Sequence, residues 1–160
     1  MKKWLKLSAV LLGLIATLMM LFTQVVIKWG SNAKDTVMFK ALVGGEYKYL
    51  GTKFEAAGNG SGLAGYILAG AGALIILITI LVPLFKEHDV LSTVVTGIGV
   101  ICLIVGTILI FLIRRSFANT NLLESGKVYV GWAAIAGGSC ASLAAFIGAI
   151  GMVMDLSGNN

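Results

Sequence analysis

63-LAGYILAGAGALIILITILVPLF-85, then Lys86-Glu-His-Asp89, then 90-VLSTVVTGIGVICLIVGTILIFLI-113: two apolar runs separated by four polar residues. A helix needs about 20 predominantly apolar residues to cross a hydrocarbon core ~30 Å thick, and each run meets that length with no charged residue inside it. Joined by so short a break, the two predict a tight helical hairpin that crosses a membrane and returns. Residues 7–27 and 131–154 are apolar runs of the same kind, so the chain predicts four crossings with both ends on one side. A bilayer offers backbone groups no hydrogen bonds, so specificity must reside in the polar breaks and in the faces the helices turn to one another.

Composition agrees. Of 160 residues 58% are hydrophobic and 12% charged, and the mean hydropathy of +0.97 lies outside the soluble range. The lipid bilayer is therefore the first partner. A net charge of +5 without a basic run interleaved with aromatics points to headgroups and topology, with no nucleic acid as partner. Cys102 and Cys140 fall in apolar runs at no metal-ligand spacing; they read as packing residues, with a disulfide between the third and fourth helices as the alternative. Residues 1–27 combine a basic start with an apolar run, as a secretory signal does. The run is longer than such a signal and no small-x-small cleavage site follows, so the expectation is a retained first helix.

The breaks differ in size: 28–62 is long, 86–89 is a turn, and 114–130 is intermediate. The two longer ones share a membrane face. Residues 39–43 and 46–50 flank Gly44-Gly45, which predicts a hairpin, because primed turns need positive φ. Residues 127–130 add a third strand candidate. The expected fold is an all-α membrane four-helix bundle, one domain over 1–160, with a small extracellular antiparallel β-sheet drawn from loops 28–62 and 114–130. Residues 58–62 then serve as a flexible connector. Trp29, Phe39, Tyr47, Tyr49 and Phe54, with Arg114 and Arg115, are the candidate interaction residues, because aromatics and arginine dominate interface energetics.

Small residues recur every fourth position on the fourth helix (Ala133, Gly137, Ala141, Ala145, Ala149) and the second (Gly65, Ala69, Ala73). Such stripes let backbones approach closely in lipid. They serve either the seams of one bundle or lateral association with itself or another membrane protein.

No catalytic, cofactor-binding or metal-binding constellation is evident. The single histidine, His88, sits between Glu87 and Asp89 in the short turn, and the glycines at 44–45 and 58–60 lack the context of a phosphate loop. The apolar runs contain no internal ionisable residue, and Gln24 and Asp155 fall near their ends, where water is expected to reach them. The expectation is a protein that is not an enzyme and not an ion-coupled transporter formed by one subunit.

Residues 114-RRSFANTN-121 and 125-SGKVYVGWAA-134 resemble the claudins and their tetraspan relatives, the peripheral myelin proteins included. In that superfamily an Arg follows the third helix and the fourth opens on Tyr-(Ile/Val)-Gly-Trp-Ala. Tyr129, Gly131 and Trp132 carry the match. The resemblance implies cytoplasmic termini and a plasma-membrane protein with an outer sheet from both loops. The first loop departs from the family: it has Trp29 without the Trp-Gly-Leu-Trp signature and holds no cysteine, so barrier function is not carried over. Charge counting opposes the implied orientation, with eight basic residues on the loop face and four on the terminal face; the leading lysines favour it. The function expected is a membrane scaffold or cell-surface adhesion protein, or alternatively a channel or an accessory subunit of a transport complex.

Overall fold

In the computed structural model the described residues are 2–29, 33–37, 40–49, 52–82, 89–121 and 128–157; side chains are described for these apart from 2, 29, 33–37, 40, 41, 47–49, 52–54, 56 and 89. Helix α1 spans Lys2–Leu18 and continues as a 3₁₀ turn, Met19–Leu21. Strands β1 (Val25–Trp29) and β2 (Ala33–Val37), helix α2 (Lys40–Val43) and strands β3 (Gly45–Tyr49) and β4 (Thr52–Ala56) follow. Then come α3 (Gly60–Leu81), α4 (Asp89–Phe111), α5 (Ile113–Thr120), β5 (Val128–Val130) and α6 (Trp132–Leu156). Among the described residues four helices are long and apolar enough to cross a membrane, the architecture of a multi-pass membrane protein.

The four form a ring. Helix α3 packs on α1 and α4, and α6 closes the circuit between α4 and α1. Small residues fill its interior, including Ala9, Ala16, Ala69, Ala141 and Ala144, with Ile76 and Leu103 between them. Bulky side chains such as Leu11, Ile67, Ile101 and Phe146 face outward. This is the distribution expected where association depends on close packing, since the surroundings are as apolar as leucine. Between α3 and α4 the glycines pair seven residues apart: a Cβ on Gly72 would lie 2.6 Å from the Gly99 carbonyl oxygen, and one on Gly106 would lie 2.7 Å from that of Gly65. Cys102 and Cys140 are free thiols.

The first apolar run does not stay helical to residue 27. Phe22 turns the chain into extended backbone, and Val25-Val26-Ile27, a β-branched run, enters β1. Buried Gln24 fixes the break. Its Nε2 donates to the carbonyls of Met19 (2.6 Å), which also accepts the Phe22 amide of the 3₁₀ turn, and of Phe22 (3.1 Å), just past the helix end. At its other end α1 begins well before residue 7, and Lys6 lies within it.

The sheet expectation holds only in part: residues 128–130 do form a strand, but they pair with 25–27, which were expected inside the first helix, and not with strands of loop 28–62. A three-stranded antiparallel sheet is ordered β2-β1-β5: the end of the first apolar run pairs with the first break on one side and the third break on the other, with Val26 between Thr36 and Tyr129. Residues 39–43 were expected as a strand; 40–43 form α2 instead, because Leu42 is buried with Tyr66, Ile110 and Ile113 at the end of the bundle. Strand β3 pairs with β4, not with 39–43, and brings Tyr47 opposite Phe54 in register. Gly44 and Gly45, at φ 92° and 151°, link α2 to β3; they do not form the hairpin turn. The third break is also more ordered than a loop, since Arg114 and Arg115 lie in α5.

Candidate interaction face

Two asparagines knit the breaks together on the loop side. Asn59, read from sequence as part of a flexible connector, is buried and caps α3: its Oδ1 accepts from the Gly62 amide (3.1 Å) and from the hydroxyls of Ser61 and Ser116. Its Nδ2 donates to the Ile113 carbonyl at 3.0 Å, tying the start of α3 to α5. Asn121 Oδ1 accepts from the Ala57 amide at 2.9 Å. Segment 57–62 is thus held at both ends.

The sheet is pinned to the bundle where β5 becomes α6. The Gly131 amide donates to the Gln24 carbonyl at 2.8 Å, and the Ala133 amide to that of Thr23 at 3.2 Å. A Cβ at Gly131 would collide with the Thr23 carbonyl oxygen, so this approach requires glycine. The Tyr66 hydroxyl donates to Gln24 Oε1 at 2.6 Å from inside α3, and Gly137 makes room for its ring. The whole junction is a polar plug under the sheet.

Above the plug Tyr129 is partly exposed, with Lys28 Nζ 4.4 Å from its ring centroid and the Arg114 guanidinium 5.8 Å away. Both are within cation–π range. Beside it Trp132 and Phe22, each about half exposed, place their ring centroids 5.5 Å apart. The residues that carried the family resemblance therefore do three different jobs: Tyr129 seats two cations, Gly131 permits backbone contact, and Trp132 joins an aromatic pair.

Of the other candidate interaction residues, Trp29, Tyr47, Tyr49 and Phe54 have their backbones in β1, β3, β3 and β4, while their side chains lie outside the described set. Phe39 and His88 lie outside the described residues altogether. Arg114 and Arg115 are exposed on α5. The small-residue positions point inward: Ala133, Gly137, Ala141, Ala145, Gly65, Ala69 and Ala73 are buried within one chain, and Ala149 is half-buried. Their helix faces serve the seams of the bundle.

The expectation that the helices hold no buried charge is overturned. Lys6 and Asp155 are each under a tenth exposed and form an ion pair, with Lys6 Nζ also donating to Ser92 Oγ at 2.9 Å. Gly151 leaves room for the Lys6 stem. Asp155 is not at a watered end; α6 runs on to Leu156 and turns the carboxylate inward. Sequence reasoning missed this pair by treating each residue as a flank of its own apolar run. The available signal was topological: with four crossings, the first turn of the first helix and the last turn of the fourth share one membrane face. Deeper along the same interior, Thr96 and Thr79 are buried with their hydroxyl oxygens 3.5 Å apart. No group of three or more His, Cys, Asp or Glu that could hold a metal occurs among the described residues.

The fold and these sites define a class, a four-helix multi-pass membrane protein with a sheet-capped loop face. Comparison with protein families, with curated proteins and with solved structures finds no match to the chain.

Proposed function

We propose that this chain is a non-enzymatic membrane scaffold or cell-surface adhesion protein, claudin-like in design, whose sheet-capped face meets another membrane protein or a second copy. In this reading the termini are cytoplasmic, the membrane is the plasma membrane, and the sheet lies outside. One observation carries it: the loop face is built as a fixed platform, with β1 paired on both sides and locked to the bundle through Gly131 and Gln24. A solvated linker needs no such anchorage, whereas a docking surface gains from being ordered before it binds. The small-residue stripes, by contrast, are engaged within the chain, so association runs through the platform.

A photocrosslinking residue at Glu55, exposed on β4, is expected to give defined adducts in native membranes. One at Ile101, on the outer face of α4, is expected to give none. Adducts only from position 101, or none from either, would overturn the reading.

The buried Lys6–Asp155–Ser92 cluster supports a second reading, a channel or an accessory subunit of a transport complex, because ionisable groups within spans are kept mainly where ions or protons pass. A planar-bilayer conductance altered by Asp155→Asn would favour it; silence, together with adducts at Glu55, would favour the scaffold.

A further inference from the structure

We propose that the terminal end of the bundle binds a water molecule in a polar layer to which all four long helices contribute. Lys6 comes from α1, Thr79 from α3, Ser92 and Thr96 from α4, and Asp155 from α6. The contacts put these residues at one level. Lys6 Nζ donates to both Asp155 and Ser92, and Ser92 Oγ donates to Asp155 Oδ2 at 3.3 Å. Gly72 faces Gly99 across the α3–α4 seam; seven residues on from Gly72 is Thr79, and seven back from Gly99 is Ser92. Thr96, one turn from Ser92, brings its hydroxyl to within 3.5 Å of that of Thr79.

Two observations call for an occupant. Asp155 is more than nine-tenths buried, yet both donors that reach it use Oδ2, and Oδ1 accepts from none of the described residues. A buried acceptor left without a donor loses its hydration with nothing in return. Fully buried Thr96 is little better served: its partner among the described residues is a hydroxyl at 3.5 Å, beyond the ~2.5–3.0 Å of a good O–H···O bond. The second observation is access. Lys6, Thr79, Ser92 and Asp155 each keep 4–6% of their surface within reach of a water-sized sphere, whereas Ala9 and Ile76, one turn further in, keep none. Water gets as far as the layer and stops.

The charges select the occupant. An anion would meet the Asp155 carboxylate and a cation the Lys6 ammonium, which leaves a small neutral molecule that both donates and accepts. Water donates to Asp155 Oδ1 and accepts from Thr96 Oγ1 or from the Lys6 N–H not already given to Asp155 or Ser92. Buried waters typically make about three such bonds. Beyond the layer Ala9, Val10, Ile76, Val100 and Ala145 close the interior with apolar packing, so the water-holding end is blind. Its occupancy depends on the fold alone and is independent of either functional reading.

The test is a crystal structure of the full chain grown from lipid, at a resolution that shows ordered water, paired with water-edited solid-state NMR of the same chain in bilayers. The crystal is expected to show one water within about 3 Å of Asp155 Oδ1. In the bilayer, water magnetisation is expected to reach the Asp155 carboxyl carbon before the Ala9 methyl. Lys6→Met with Asp155→Leu, which makes the centre of the layer apolar, is expected to lose both signals. An Oδ1 with no water on it, a protein group in its place, or a metal or halide ion there would overturn the assignment. So would equal transfer to Asp155 and Ala9, or a water that persists in the double variant. Should that variant not fold, the density and the transfer in the parent chain decide by themselves.

Discussion

Lys6 brings an ammonium into the bundle and survives there because Asp155 and Ser92 receive it. A buried pair of this kind contributes little net stability against apolar replacements, yet removing one partner strands the other and costs about 3–5 kcal/mol. Lys6→Met is therefore expected to destabilise the protein by about that amount, whereas Lys6→Met with Asp155→Leu should recover most of the loss. Denaturant titration in mixed micelles measures both. Strictly additive effects would mean that the two groups do not hold each other. Gln24 is the same kind of residue, a single polar side chain in an apolar run. Its two amide hydrogens close the end of α1, and its carbonyl oxygen takes the Tyr66 hydroxyl. Neither role could be read from residue type, because the Tyr66 hydroxyl that Gln24 accepts and the Asp155 carboxylate that receives Lys6 lie 42 and 149 positions away.

Among the elements, the α3–α4 seam brings two helix backbones into direct contact. Gly72 sits 2.6 Å, measured from a built Cβ, from a carbonyl oxygen of the neighbouring backbone, which cannot swing aside as a side chain can. Gly72→Val is expected to separate the helices and destabilise the fold by 1–3 kcal/mol or more, roughly the cost of overpacking. Gly60, the first residue of α3, has open space around its missing Cβ. Gly60→Ala is expected to be neutral or mildly stabilising, by up to about 1 kcal/mol, because alanine loses less backbone entropy in a helix. Thermal unfolding of the two variants in one detergent compares them. Equal behaviour would show that close approach does not hold the seam. The four-residue spacing of small side chains made several seam positions legible, Gly65, Ala69 and Ala73 among them. The pairs Gly65–Gly106 and Gly72–Gly99 were not, because a seven-residue match between antiparallel helices depends on which pair are neighbours and in what register.

For the molecule as a whole, the proposed orientation puts α5 and the sheet outside and the ends of α1 and α6 inside. In a variant with Cys102 and Cys140 changed to alanine, Thr120→Cys on α5 is expected to react with a membrane-impermeant thiol reagent on intact cells. Ser157→Cys, just past α6, is expected to react only after permeabilisation. The reverse pattern would make the platform a cytoplasmic docking surface. Four helices long and apolar enough to cross a membrane, and a strand at 128–130, follow from apolar run length and alternation along the chain. These are one-dimensional properties, and the hydrocarbon thickness converts them directly into architecture. Where the first run stops being helix, which strands pair, and that 40–43 coil into α2 were decided only in three dimensions. Hydropathy weighs Val25-Val26-Ile27 alike in a helix or a strand, and what selects the strand is pairing with 33–37 and 128–130. The Lys6–Asp155 pair and the cations on Tyr129 belong to the same category, because their energy comes from contact between residues that the sequence keeps far apart.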